Sequence, residues 1–118
     1  MRACVAILLG LALAGPVAAQ NAASASGGEI RVLDKLNGVT TDVSLQNGVP
    51  QQVGLLLIRM NDCRYPARNP SGDAYAALTV TYRNETTPAF DGWMIASSPA
   101  LNAMDHPRYD VWVLRCST

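Results

Sequence analysis

Apolar and polar positions alternate along most of this chain in runs of strand length rather than helix length. Ile30-Arg31-Val32-Leu33-Asp34-Lys35-Leu36 is followed by Asn37-Gly38, a strong hairpin signal because both central positions of a type I′ turn need positive φ. In the next run, Thr40 to Leu45, Thr41, Val43 and Leu45 share one face while Asp42 and Ser44 take the other, which predicts one hairpin. Asn47-Gly48-Val49-Pro50 marks a turn. Val53 to Met60 then carries apolar residues on both faces, with Val53, Leu55 and Leu57 opposite Leu56, Ile58 and Met60. Such a run predicts a strand buried on both sides, with a short buried helix left open by periodicity alone.

Two prolines and a glycine between Arg64 and Asp73 predict a loop. Tyr75 to Arg83 alternates again, with Ala76, Leu78, Val80 and Tyr82 on one side, and Asn84-Glu85-Thr86-Thr87-Pro88 predicts a turn. Phe90 to Ala96 and Tyr109 to Cys116 complete the strands. Between them, Pro99 to about Met104 suits a short helical turn: Ser98 is placed to cap it, Pro99 fits the first helical position and Pro107 stops it. The expected fold is all-β, a small β-sandwich or partly open barrel of about six to seven strands with one short helical turn.

The N-terminus has a different pattern. A positive start at Arg2, an apolar stretch from Val5 to Val17 and small residues at Ala18-Ala19 are the parts of a secretory signal peptide, residues 1–19, cleaved after Ala19. Gly10, Gly15 and Pro16 interrupt the apolar run, which is shorter than the roughly 20 residues of a membrane-spanning helix, so no anchor is expected. A periplasmic protein is the expectation. Residues 20–28, rich in Ala, Ser, Asn and Gly, read as a disordered leader, and residues 29–118 as a single β domain.

Loss of residues 1–19 leaves eight basic and nine acidic side chains, a formal charge of −1 that offers no footprint for nucleic acid. It also removes Cys4 and leaves Cys63 and Cys116. In an oxidising compartment such a pair is most simply a disulfide, with a redox pair or metal thiolates as the alternatives; there is no Cys-x-x-Cys spacing. Closing this loop of 53 residues removes about 4 kcal/mol of unfolded-chain entropy in the loop model.

Candidate chemistry is sparse. Asp91, Asp105 and Asp110 could run glycoside hydrolysis at the right separation, but Asp91 before Gly92 and Asp105 beside His106-Pro107 suit turns. His106 is the only histidine, whereas zinc takes three or four protein ligands; no metal site, cofactor or catalytic residue is expected. Ser97 and Ser98 lack the glycine pattern of a nucleophile elbow and have only His106 as a conceivable base. Asn84-Glu85-Thr86 fits an N-glycosylation acceptor and equally a plain turn. Trp93 and Trp112 are expected in the core; the alternative is a surface of Tyr65, Tyr75, Trp93, Tyr109 and Trp112 that stacks on sugar rings or on a partner.

The C-terminal third carries a resemblance. The string Phe90-Asp91-Gly92-Trp93-Met94-Ile95-Ala96-Ser97-Ser98-Pro99-Ala100-Leu101-Asn102-Ala103-Met104-Asp105-His106-Pro107, with Tyr109-Asp110-Val111-Trp112-Val113 and Cys116, resembles a family of small exported alphaproteobacterial proteins, domain-of-unknown-function family 2155. Leu33-Asp34-Lys35, Gly38 and Cys63 are similar to its N-terminal half, while Ile95, Met104 and Arg108 depart mildly from its pattern. The resemblance implies an exported domain and a Cys63–Cys116 bridge, and carries over no catalytic residue.

Together these readings predict a non-catalytic periplasmic module that binds another envelope protein through the segment from Trp93 to Tyr109, with Trp93, Ser97, Ser98, Asn102, His106 and Tyr109 as candidate binding residues. A glycan-associated role, by sugar binding or less readily by hydrolysis, is the alternative, and a purely structural accessory of a larger envelope assembly is a third reading.

Overall fold

The computed structural model describes residues 21–118. The expected signal peptide, with its cleavage after Ala19, falls on residues outside those described. Eight strands follow one another: β1 (Ala22–Ser24), β2 (Gly27–Asp34), β3 (Val39–Gln46), β4 (Gln51–Val53), β5 (Leu56–Pro66), β6 (Tyr75–Tyr82), β7 (Phe90–Ile95) and β8 (Tyr109–Cys116), with a 3-10 turn at Pro99–Leu101. They form two antiparallel sheets. The larger has the order β1-β5-β6-β7, with β4 also on β5; the smaller has the order β3-β2-β8. Because β6 takes one whole side of the long strand β5, β4 and β1 share its other side, β4 beside Leu56–Ile58 and β1 beside Arg64–Pro66.

The sheets pack face to face as a sandwich, each turning its alternate apolar residues inward. Leu56, Ile58, Met60, Ala76, Leu78 and Val80 come from the larger sheet, and Ile30, Val32, Leu45, Val111 and Val113 from the smaller; all are buried. Truncating one of the larger of these to alanine costs roughly 2–5 kcal/mol. The Cys63–Cys116 disulfide joins β5 to β8, and so one sheet to the other.

Strict alternation would turn both cysteines outward, because Met60 and Cys63, like Val113 and Cys116, are three residues apart. Two β-bulges reverse the phase. The register of β5 on β6 shifts between Met60 and Asp62, and that of β2 on β8 between Glu29 and Ile30, opposite Leu114. Each bulge adds one residue to its strand, so Cys63 and Cys116 return to the core.

Several local expectations are corrected. The leader is not disordered over its described part: residues 22–24 form β1 and Gly27-Gly28 open β2, both glycines buried. The Ala25 amide donates to the Cys63 carbonyl at 2.8 Å, and a Cβ on Gly28 would come within 3.0 Å of Cys63 Sγ. Small residues are there because the chain passes close to the disulfide, and main-chain pairing needs no apolar side chain.

The run Val53–Met60 is not one strand. Gly54, at φ +57°, and Leu55 make a two-residue hairpin between β4 and β5, and a Cβ at Gly54 would lie 2.6 Å from the Tyr109 hydroxyl. Nor is β5 buried on both sides, since Leu57 and Arg59 face outward. The predicted loop at 64–73 begins later, because β1 extends the pairing of β5 to Pro66. At the first hairpin β2 stops at Asp34 and a four-residue turn leads to Val39; Gly38 has positive φ but Asn37 does not. The Asp34 carboxylate and the Asn37 side chain accept the amides of Leu36 and Val39 there. The tight turn with two positive φ angles falls instead at Arg83-Asn84, where Glu85 N–H donates to the Tyr82 carbonyl.

Candidate functional site

His106 and Tyr109 lie at one end of the sandwich and are held by structural contacts. His106 Nδ1 accepts the amides of Arg108 and Tyr109, at 3.1 and 3.2 Å, and its ring packs at a tilt against that of Tyr82, with centroids 4.5 Å apart. The Tyr109 hydroxyl accepts the Leu55 amide at 3.1 Å, which ties the start of β8 to the β4–β5 hairpin. The Arg83 and Arg108 guanidinium groups sit over the rings of Tyr82 and Tyr109, 5.1 and 5.2 Å from the centroids. Arg108 also makes a bidentate pair with Asp34, and this hydrogen bonding holds the Asp34 carboxyl below the usual carboxylate range.

Ser97 and Ser98 lie at the opposite end. Ile95, just before them, pairs with Tyr75 at the start of β6, whereas His106 packs against Tyr82 at its end, so about 20 Å of strand separates serine from histidine. The Ser97 hydroxyl donates to Asp73 at 2.7 Å, and its amide donates to the same carboxylate. Burial alone would raise the Asp73 carboxyl, but the hydrogen bonds from Ser97 and from the Ala74 amide outweigh it and hold the group below its ordinary value. The Ser98 side chain does not cap the short turn, which is closed by the main-chain bond from Leu101 N–H to the Ser98 carbonyl. The turn covers only Pro99–Leu101, a single 3-10 turn that does not continue to Met104.

Asn102 joins the loop to β7: its side-chain amide donates to the Trp93 carbonyl at 2.9 Å on the outer edge of that strand. The loop then runs back alongside β8 and leaves a groove of about 370 Å³. Pro99, Ala100, Ala103 and Met104 form one wall; Asp110, Val111 and Trp112 form the other. Leu101, three-quarters exposed, belongs to the loop that forms the first wall. Sequence reasoning did not single out Leu101, although a lone leucine in a proline-bounded loop away from any strand was a readable signal.

Trp93 is not in the core. It is 44% exposed on the outer face of the larger sheet, and Trp112 is half-buried at the groove. Asp91 accepts a hydrogen bond from Thr79 on that same outer face, while Asp110 faces Lys35 on the outside of the smaller sheet, 3.4 Å away. Asp105 lies exposed in the loop. The three carboxylates are therefore distributed over two sheets and a loop. Among the described residues no group of three or more His, Cys, Asp and Glu side chains could hold a metal ion, and no helix is long and apolar enough to cross a membrane.

Residues 28–116, from the start of β2 to the second half-cystine, match the family described as an uncharacterized protein conserved in bacteria, DUF2155. The chain belongs to this family. The match contains the whole sandwich except β1 and the first residue of β2, and with it the groove and both bulges. An uncharacterized protein of Rickettsia prowazekii (strain Madrid E) is 28% identical over 94 residues, covering 77% of this chain and 61% of that protein. This DUF2155 chain thus spans less than two thirds of that relative's length. No solved structure matches it.

Proposed function

We propose that this protein is a non-catalytic periplasmic binding module that engages another envelope protein at the groove between the Pro99–Met104 loop and β8. The groove carries the reading. Its walls are apolar apart from Asp110, and Leu101 in the adjoining loop is largely exposed to solvent. Rigid support favours binding: Asn102 fastens the loop to β7, and Lys35 Nζ fastens its far end by donating to the His106 carbonyl. An apolar side chain of a partner would fill the groove, and a basic group beside it would meet Asp110.

Within the segment, the Ser97 hydroxyl is held by Asp73 and His106 Nδ1 by two amides, which supports binding over catalysis. The signal-like N-terminus and the disulfide support a periplasmic setting.

The test is a photoreactive residue at Leu101 in intact cells; Asn102 is unsuitable because its side chain holds the Trp93 carbonyl. One reproducible envelope-protein adduct is expected, and Ala100→Arg, which fills the groove with charge, should remove it. Crosslinking that persists in Ala100→Arg, or no protein adduct at all, would defeat the reading.

A further inference from the structure

The outer face of the larger sheet carries a second constellation, away from the groove. Trp93 on β7 stands beside Ala77 on β6, a small neighbour that leaves the indole exposed. In the next row a hydrogen-bonded ladder crosses three strands. Arg59 Nε donates to Asn61 Oδ1 at 2.7 Å, Asn61 Nδ2 to Thr79 Oγ1 at 3.0 Å, and Thr79 Oγ1 to Asp91 Oδ1 at 3.2 Å. The β5 bulge makes this ladder possible. With Met60 and Cys63 both turned inward, the two residues between them lie on the outer face, and Asn61 comes within reach of Thr79.

We infer that this face is a binding platform for a neutral oligosaccharide of pyranose rings, with Trp93 stacking on the C–H face of one sugar and the Asn61–Thr79–Asp91 ladder meeting the hydroxyls of its neighbour. An indole offers a flat, rigid, apolar surface at low entropic cost, which suits a ring whose hydroxyls project sideways. The ladder fixes its own polar groups in advance, while the second Asp91 oxygen and the Arg59 Nη groups have no hydrogen-bond partner among the described residues. Charge selects the occupant. Arg59 and Arg64 are balanced on this face by Asp62 and Asp91, so neither a polyanion nor a polycation is favoured. A protein face, or a second copy of this chain, would desolvate four charged side chains, whereas sugar hydroxyls replace their waters.

Binding of cellohexaose and chitohexaose, measured separately by calorimetry on the exported protein, tests the inference. Millimolar or tighter binding of at least one is expected. Trp93→Ala should weaken it by about tenfold or more. Thr79→Val, which breaks the ladder while keeping side-chain shape, should weaken it several-fold, and Ala100→Arg in the groove should leave it unchanged. Circular dichroism keeps a folding defect in either variant separate from lost binding. Absence of binding to both sugars at about 1 mM, or binding indifferent to Trp93→Ala and to Thr79→Val, overturns the inference. Sugar binding that fails in Ala100→Arg but survives Trp93→Ala also overturns it, and moves the site to the groove.

Discussion

The two ends of the sandwich solve the same mechanical problem by different chemistry. At one end Cys63 and Cys116 join the sheets covalently, and the close passage of Gly28 leaves little room around the bond. At the other, Tyr109 reaches from β8 to the Leu55 amide, His106 holds two amides and packs on Tyr82, and Arg108 clamps Asp34. The covalent end acts mainly by restricting the unfolded chain, while the aromatic end depends on interactions that exist only once the sheets have met. The loop from Ser97 to His106 spans the two. Its position beside β8 is thus set from both ends, by Asp73 on Ser97 and by Lys35 and the aromatic cluster at His106.

The largest expected effect comes from breaking the covalent end. Cys63→Ser with Cys116→Ser should lose roughly 2–5 kcal/mol in urea denaturation. If the midpoint scarcely moves, the aromatic end carries the closure.

At that end Tyr109→Phe leaves the Leu55 amide without its acceptor and should cost about 1–3 kcal/mol. Gly54→Ala should be destabilising by a comparable amount, because it adds strain at positive φ to a clash with the same hydroxyl. Full stability in both variants would show that the hairpin does not need Tyr109.

A smaller, pH-dependent difference compares one carboxylate at each end. Asp34 and Asp73 both have folded-state pKa values below their ordinary ones, so their contribution is present above the unfolded-state value near 4 and is lost as pH falls through the folded-state values. Urea midpoints should stay level from neutral pH to about 5 and fall below about 4. Asp34→Asn and Asp73→Asn should each flatten part of that fall. An acid limb unchanged in both would assign it to other carboxylates.

The smallest effect is expected between the ends, on the outer face of the smaller sheet, where Arg31 and Asp42 form an exposed ion pair across β2 and β3. Arg31→Gln should leave the denaturation midpoint within error.

The sequence by itself determined the β class and where the chain turns, because alternation at period two and turn-forming residues act locally. Tyr75–Tyr82 follows its predicted phase residue by residue. The pairing of Cys63 with Cys116 was likewise legible, from the expectation that Cys4 is lost with an export signal, and the disulfide is present. Phase across a bulge was not legible, since an extra residue is accommodated only against a partner strand with a defined register; for the same reason nothing local brought Asn61 to Thr79. Gly54 was hidden within an apolar run, and its role follows from the Tyr109 hydroxyl, 55 residues away in sequence. The candidate residues from Trp93 to Tyr109 were read as one segment, but β7 and the returning loop send Ser97 and His106 to opposite ends and leave Trp93 on an outer face. Only the tertiary structure decided which of them share a surface, because closeness in a sandwich depends on strand pairing and sheet packing rather than on separation along the chain.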